Sequence, residues 1–127
     1  MLDILIIDDN EDVRNVLSEN LKECGHAVSC AEDGLQGIQK IEKRTAPPDV
    51  VITDIVMPRR EGIETIMEIR RRFPAIKLIA ISGGGRSKTT DFLEIARKLG
   101  ANGVIPKPVD MDELESMLKS FDKKAAQ

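Results

Sequence analysis

Tryptophan and tyrosine are absent from this chain of 127 residues, and its aromatic side chains are Phe73, Phe92 and Phe121. Stacking platforms for single-stranded nucleic acid need aromatic faces and are not expected here. Positive charge is not in excess either, because 19 Lys and Arg stand against 22 Asp and Glu. Gripping a nucleic acid takes a basic face that displaces counterions, so direct binding is not expected. No apolar run approaches the roughly 18 residues of a membrane span. The N-terminal stretch Met1–Asp9 has no basic segment and no small-residue cleavage site, so a cytoplasmic location is expected rather than export. Cysteine is scarce, and in a reducing compartment Cys24 and Cys30 should be free thiols. With a single histidine, neither a histidine-based metal site nor a Ser-His-Asp triad is credible. His26 follows Gly25 in a turn and reads as an ordinary surface residue.

What is present is a pattern of short apolar runs alternating with longer amphipathic ones. Ile4–Ile7 is apolar throughout, as suits a strand buried on both faces. Asp9 or Asn10 can cap a helix carrying Val13, Leu17 and Leu21, ended by Gly25. Ala27–Ala31 reads as a second strand, and a helix over about Gly34 to Arg44 carries Leu35, Ile38 and Ile41. Val50–Ile52 forms a third strand after Pro47-Pro48. A third helix over about Arg60 to Arg72 carries Ile63, Ile66, Met67 and Ile69. Strand four is expected over Ile76–Ile81. Helix four is expected from a Ser87 cap through Phe92, Ile95, Ala96 and Leu99 to Gly100. Gly103–Pro106 is strand five, and Asp110 with Glu113 makes a capping box for helix five, stapled by Val109 and Leu114. Five strand–helix alternations predict a flavodoxin-like, doubly wound α/β domain: a five-stranded parallel sheet in the order 2-1-3-4-5 with helices on both faces. That domain spans residues 1–122, and 123–127 is a polar tail.

In such sheets the chemistry gathers at the carboxyl ends of the strands, where strand order reverses. Asp8 and Asp9 follow strand one, Asp54 follows strand three, Ser82 follows strand four and Lys107 follows strand five. Each has a bland alternative: Asp8 and Asp9 as helix caps, Asp54 as a turn residue, Ser82 as loop, Lys107 as a solvated charge. Together they bring three carboxylates to one point, and these repel one another unless a cation is present. An oxygen-only set of this kind suits Mg²⁺. The glycine spacings of nucleotide-binding loops are missing, and Gly83-Gly84-Gly85 lies after the wrong strand. A carboxylate beside a cation, an ammonium and a hydroxyl can instead act as a nucleophile toward phosphorus.

The ordered set of motifs resembles the receiver domain of two-component response regulators. It comprises Ile6-Ile7-Asp8-Asp9-Asn10, Asp33-Gly34, the segment Pro48–Pro58 around Asp54, Glu61-Gly62, Ile81-Ser82-Gly83, Gly100-Ala101 and Lys107-Pro108, and it covers Leu2 to about Phe121. The resemblance implies a signalling domain rather than an enzyme acting on other substrates. Asp54 would be the phosphoacceptor. Asp9, Asp54 and the backbone carbonyl of Val56 would bind Mg²⁺ or Mn²⁺, with Asp8 acting through water. Lys107 would pair with the carboxylate and then the phosphoryl group, and Ser82 would bond a phosphoryl oxygen. A cis peptide at Lys107-Pro108 is also implied. The implied partner is a sensor histidine kinase or a histidine phosphotransfer protein. Phosphorylation would change the surface around helix four and strand five to control a partner or output domain. A homodimer through helix four, strand five and helix five is compatible with it. One departure stands out: Val104 occupies the position where the family usually carries an aromatic switch residue. A haloacid-dehalogenase-type phosphatase is the competing enzyme reading, although Val56 stands where its second acid is needed. A pseudo-receiver that only binds partners is the other alternative.

Overall fold

A computed structural model describes residues 1–55, 61–82 and 94–122. The strands are β1 (Asp3–Ile7), β2 (Ala27–Ala31), β3 (Val50–Asp54), β4 (Lys77–Ser82) and β5 (Gly103–Pro106). The helices are α1 (Glu11–Glu23), α2 (Gly34–Glu42), α3 (Glu61–Arg72) and α5 (Met111–Phe121), with α4 described over 94–98. All strand pairings are parallel, in the order β2-β1-β3-β4-β5. Strand order therefore reverses between β1 and β3, which pair from Ile4 opposite Val50 to Ile7 opposite Thr53.

Side chains on successive strand residues alternate between two cores, which is why the central stretches Ile4–Ile7, Val50–Ile52 and Leu78–Ile81 are apolar at every position. Leu5, Ile7, Val51, Leu78 and Ala80 pack against Ile38 and Ile41 of α2, Ile66 and Ile69 of α3, and Ala96 of α4. On the opposite face, Ile4, Ile6, Ile52, Ile79, Ile81 and Ile105 pack against Leu17 and Leu21 of α1 and Leu114 and Leu118 of α5. Asn10 caps α1 by accepting from Val13 N at 3.1 Å, and Asp33 caps α2 by accepting from Gln36 N at 2.8 Å. Asp110 supplies its half of the capping box, accepting from Asp112 N and Glu113 N at 2.9 and 3.2 Å. Gly25 and Gly100 end α1 and α4 in the left-handed region, at φ +94° and +113°.

Several expectations need correction. Helix α2 stops at Glu42, two residues before Arg44, and β4 runs one residue later than expected, from Lys77 to Ser82. Leu35 and Met67 are exposed, as is Ile95. The inward stripe of α2 is Gly34, Gly37, Ile38 and Ile41, and that of α3 runs through Ile66 and Ile69; Leu35 and Met67 each fall one position off it. His26 is not an ordinary surface residue. Its side chain is only 10% exposed, Nδ1 accepts from Leu2 N at 3.1 Å, and Nε2 lies 3.3 Å from Glu115 Oε1. The imidazole thus lies between Leu2, which precedes β1, and Glu115 of α5. Cys24 and Cys30 are both free thiols. Arg60, the three consecutive glycines, Ser87, Phe92 and the tail 123–127 lie outside the described residues.

Candidate functional site

β1, β3, β4 and β5 deliver the candidate groups at their carboxyl ends. β1 ends at Ile7, and the chain turns through Asp8 and Asp9 into the Asn10 cap of α1. Asp8 is fully buried and its polar atoms are met from several directions. Its amide donates to Ala31 O at 3.2 Å, Oδ1 accepts from Asn10 N at 2.8 Å, and Oδ2 accepts from Lys107 Nζ at 3.0 Å. Its backbone carbonyl accepts from Arg14 Nη1 at 2.6 Å. Asp9, one residue on, faces solvent and makes no ion pair among the described residues.

Asp54 closes β3 and is also buried. Its Oδ2 accepts from Lys107 Nζ at 2.9 Å. The ammonium thus lies between two buried carboxylates, which offsets the repulsion expected of them. Burial alone would lower the pKa of Lys107, but the hydrogen bonds and attraction from Asp54 and Asp8 outweigh that and raise it above its ordinary 10.5. One carboxylate oxygen each from Asp8, Asp9 and Asp54 fall within 4.8 Å of one another. Hard oxygen donors crowded in this way could hold Mg²⁺ or Mn²⁺. Ser82 ends β4 completely buried, and its Oγ has no hydrogen-bond partner among the described residues. A buried hydroxyl without a partner is costly. Lys107 N donates to Ser82 O at 2.8 Å, and the Lys107-Pro108 peptide is cis.

Residues 4–119 match the model of the response regulator receiver domain. The chain belongs to that family. An NtrX-like response regulator of Rickettsia typhi is 37% identical over 120 residues, covering 93% of this chain and 24% of that protein. The alkaline phosphatase synthesis transcriptional regulatory protein PhoP of Bacillus subtilis is 30% identical, covering 93% of this chain and 47% of that protein. This receiver therefore spans about a quarter of the length of the NtrX-like relatives it matches. Among solved structures, the receiver domain of NtrX from Brucella abortus superposes with a TM-score of 0.84 at 29% identity, covering 94% of this chain and 97% of that one. A receiver domain protein from Clostridium thermocellum gives 0.87 at 27% identity, covering 98% and 96%. Membership sets aside the haloacid-dehalogenase alternative.

The receiver brings together Asp8, Asp9, Asp54 and Lys107, and Ser82 is joined to Lys107 through the backbone. Val56 lies outside the described residues. Val104 is half-buried in β5 opposite Ala80, packed on the α2–α3–α4 core. Arg14 at the site was missed by sequence reasoning. Its signal is a basic residue one turn into α1, since long helical side chains lean back over the preceding turn.

Proposed function

We propose that this receiver accepts a phosphoryl group on Asp54 from a sensor histidine kinase or a histidine phosphotransfer protein. The observation that carries the reading is the Lys107 ammonium held on Asp54 Oδ2 and Asp8 Oδ2, with the acidic oxygens of Asp8, Asp9 and Asp54 gathered within 4.8 Å of one another. An Asp54 oxygen bonds to phosphorus as the P–N bond of a phosphohistidine breaks, and the donor imidazole leaves and takes up a proton. Lys107 neutralises charge on the accepting oxygen, and Ser82 donates to a phosphoryl oxygen. Asp9, Asp54 and the Val56 carbonyl would hold Mg²⁺ or Mn²⁺ directly, with Asp8 acting through water. The ion, when bound, offsets the charge of the phosphoryl oxygens. Its donor set fits: the carboxylates are close, and Asp9 is open to solvent.

A groove of about 530 Å³ adjoins Lys107 and is lined by Val13, Val16, Leu17, Val109 and Met111. Its apolar walls and its position next to Lys107 suit the protein that carries the phosphohistidine. The domain, over residues 1–122, is a cytoplasmic switch that catalyses only its own phosphorylation and dephosphorylation. Its output is a separate partner or an attached domain, reached through the surface around α4 and β5, and the face of α4, β5 and α5 is compatible with a homodimer.

Incubation with acetyl phosphate and Mg²⁺ should add one phosphoryl group, seen by intact mass and removed by hydroxylamine. Asp54→Asn should abolish it. Equal labelling of that variant would assign the phosphoryl group elsewhere, and no labelling of the wild type would favour a pseudo-receiver.

A further inference from the structure

We propose that Arg14 is a positioning residue for the acidic pocket, holding the peptide between Asp8 and Asp9 so that the first carboxylate points inward and the second outward. The inference rests on the reading of this pocket as a Mg²⁺ site. Arg14 Nη1 donates to the Asp8 carbonyl at 2.6 Å. That oxygen belongs to the peptide plane joining the two aspartates, so its direction governs where the Asp9 side chain leaves the backbone. Asp8 is fully buried while Asp9 is exposed, as an oriented peptide requires.

Other partners cannot do this job. Lys107 and Asn10 N grip the Asp8 side chain, and Ala31 O takes its amide; among the described residues only Arg14 meets its carbonyl. The backbone that carries Arg14 is itself well anchored. Arg14 N donates to Asn10 O at 3.1 Å in the first turn of α1, and the Asn10 side chain caps that turn. The bond is charge-assisted, and a planar guanidinium presents its donors in a fixed fork. Arg14 also places positive charge near three carboxylates, which on its own would repel a divalent cation. Orientation and repulsion therefore act on Mg²⁺ affinity with opposite signs, and this makes the two roles separable.

The test compares Arg14→Met, which keeps the stem and loses the donors, with Arg14→Lys, which keeps a charged donor. Mg²⁺ affinity is measured by calorimetric titration, and the amide signals of Asp9 and Asn10 are followed by NMR without metal. Positioning predicts that Arg14→Met binds Mg²⁺ about tenfold more weakly, as is usual when a group orienting a metal ligand is lost, and that Arg14→Lys recovers most of the loss. The metal-free Asp9 and Asn10 signals should move in Arg14→Met and largely return in Arg14→Lys. A lower unfolding midpoint with unchanged Mg²⁺ affinity would show a merely structural tie and overturn the proposal. Tighter binding in Arg14→Met would show simple repulsion and overturn it too. If the wild type binds no Mg²⁺, the metal reading fails, and the metal-free signals still decide: unmoved Asp9 and Asn10 amides reject the positioning role.

Discussion

The amide of Lys107 donates to the carbonyl of Ser82 across 2.8 Å. This backbone bond continues the β4–β5 pairing just past Ser82 opposite Pro106. Sheet register thus fixes the backbone positions of Lys107 and Ser82 relative to each other, while the Lys107 ammonium is held on Asp8 and Asp54.

The Ser82 hydroxyl should be dispensable for folding. Its Oγ is buried without a partner, so Ser82→Ala removes a desolvated polar group and leaves only a small void. Urea melts should give a stability equal to wild type or higher by up to about 1 kcal/mol. Labelling by acetyl phosphate should persist. The NMR shifts that beryllofluoride, a phosphoryl mimic, induces in β4 and β5 should shrink sharply, and unchanged shifts would show that Ser82 does not sense the group.

Asp9 has no compensating cation among the described residues, unlike Asp8 and Asp54, which share Lys107. Asp9→Asn should therefore keep its metal-free stability or gain about 1 kcal/mol from relieved repulsion. Added Mg²⁺ should raise the wild-type melting temperature and leave that of the variant unmoved. Intact Mg²⁺ stabilisation in Asp9→Asn would remove it from the ligand set.

Lys107 gives a pH signature. Its folded-state pKa lies above the ordinary 10.5, so folding is favoured by proton binding. The stabilisation is full at neutral pH and is lost as pH climbs past about 10.5 through the folded value. Lys107→Met should cost about 2 kcal/mol near pH 7, because it strands two buried carboxylates. The gap between wild type and variant should stay flat between roughly pH 7 and 9 and close in the alkaline range. Chemical denaturation across pH measures it, and a gap that closes near neutrality would point to another group.

Arg70 joins three segments at the opposite end of the sheet. Its guanidinium donates to Gly100 O at 2.8 Å, Asn102 Oδ1 at 2.8 Å, Pro74 O at 2.9 Å and Ile76 O at 3.1 Å. A lysine reaches only part of this set, so Arg70→Lys should lose about 1–3 kcal/mol of stability. Phosphorylation of Asp54 should be unaffected in the folded fraction. A neutral effect in urea melts would mean that water replaces the lost bonds.

The strands were legible because β1, β3 and β4 each hold a continuous apolar run, which a sheet covered on both faces requires, whereas β2, with Ser29 at its centre, is only partly buried. Asp8, Asp9, Asp54, Ser82 and Lys107 were legible for a related reason, since each directly follows or ends such a run. Local periodicity failed where one residue's phase decides burial. Leu35 and Met67 sit beside the inward stripes of α2 and α3, and apolarity alone does not tell the two positions apart.

The sequence by itself determined the alternation of elements and the kinds of group at each strand end, because both are written in neighbouring residues. Only the tertiary structure decided which of two adjacent aspartates is buried, that Lys107 bridges Asp8 and Asp54, that Arg14 turns back onto Asp8, and that His26 lies between Leu2 and Glu115 of α5. The Lys107–Asp8 contact joins residues 99 positions apart, and the His26–Leu2 contact joins residues 24 apart. Such contacts depend on how sheet register and helix packing orient side chains in space. That orientation arises from close packing across the whole domain, and no local window of sequence contains it.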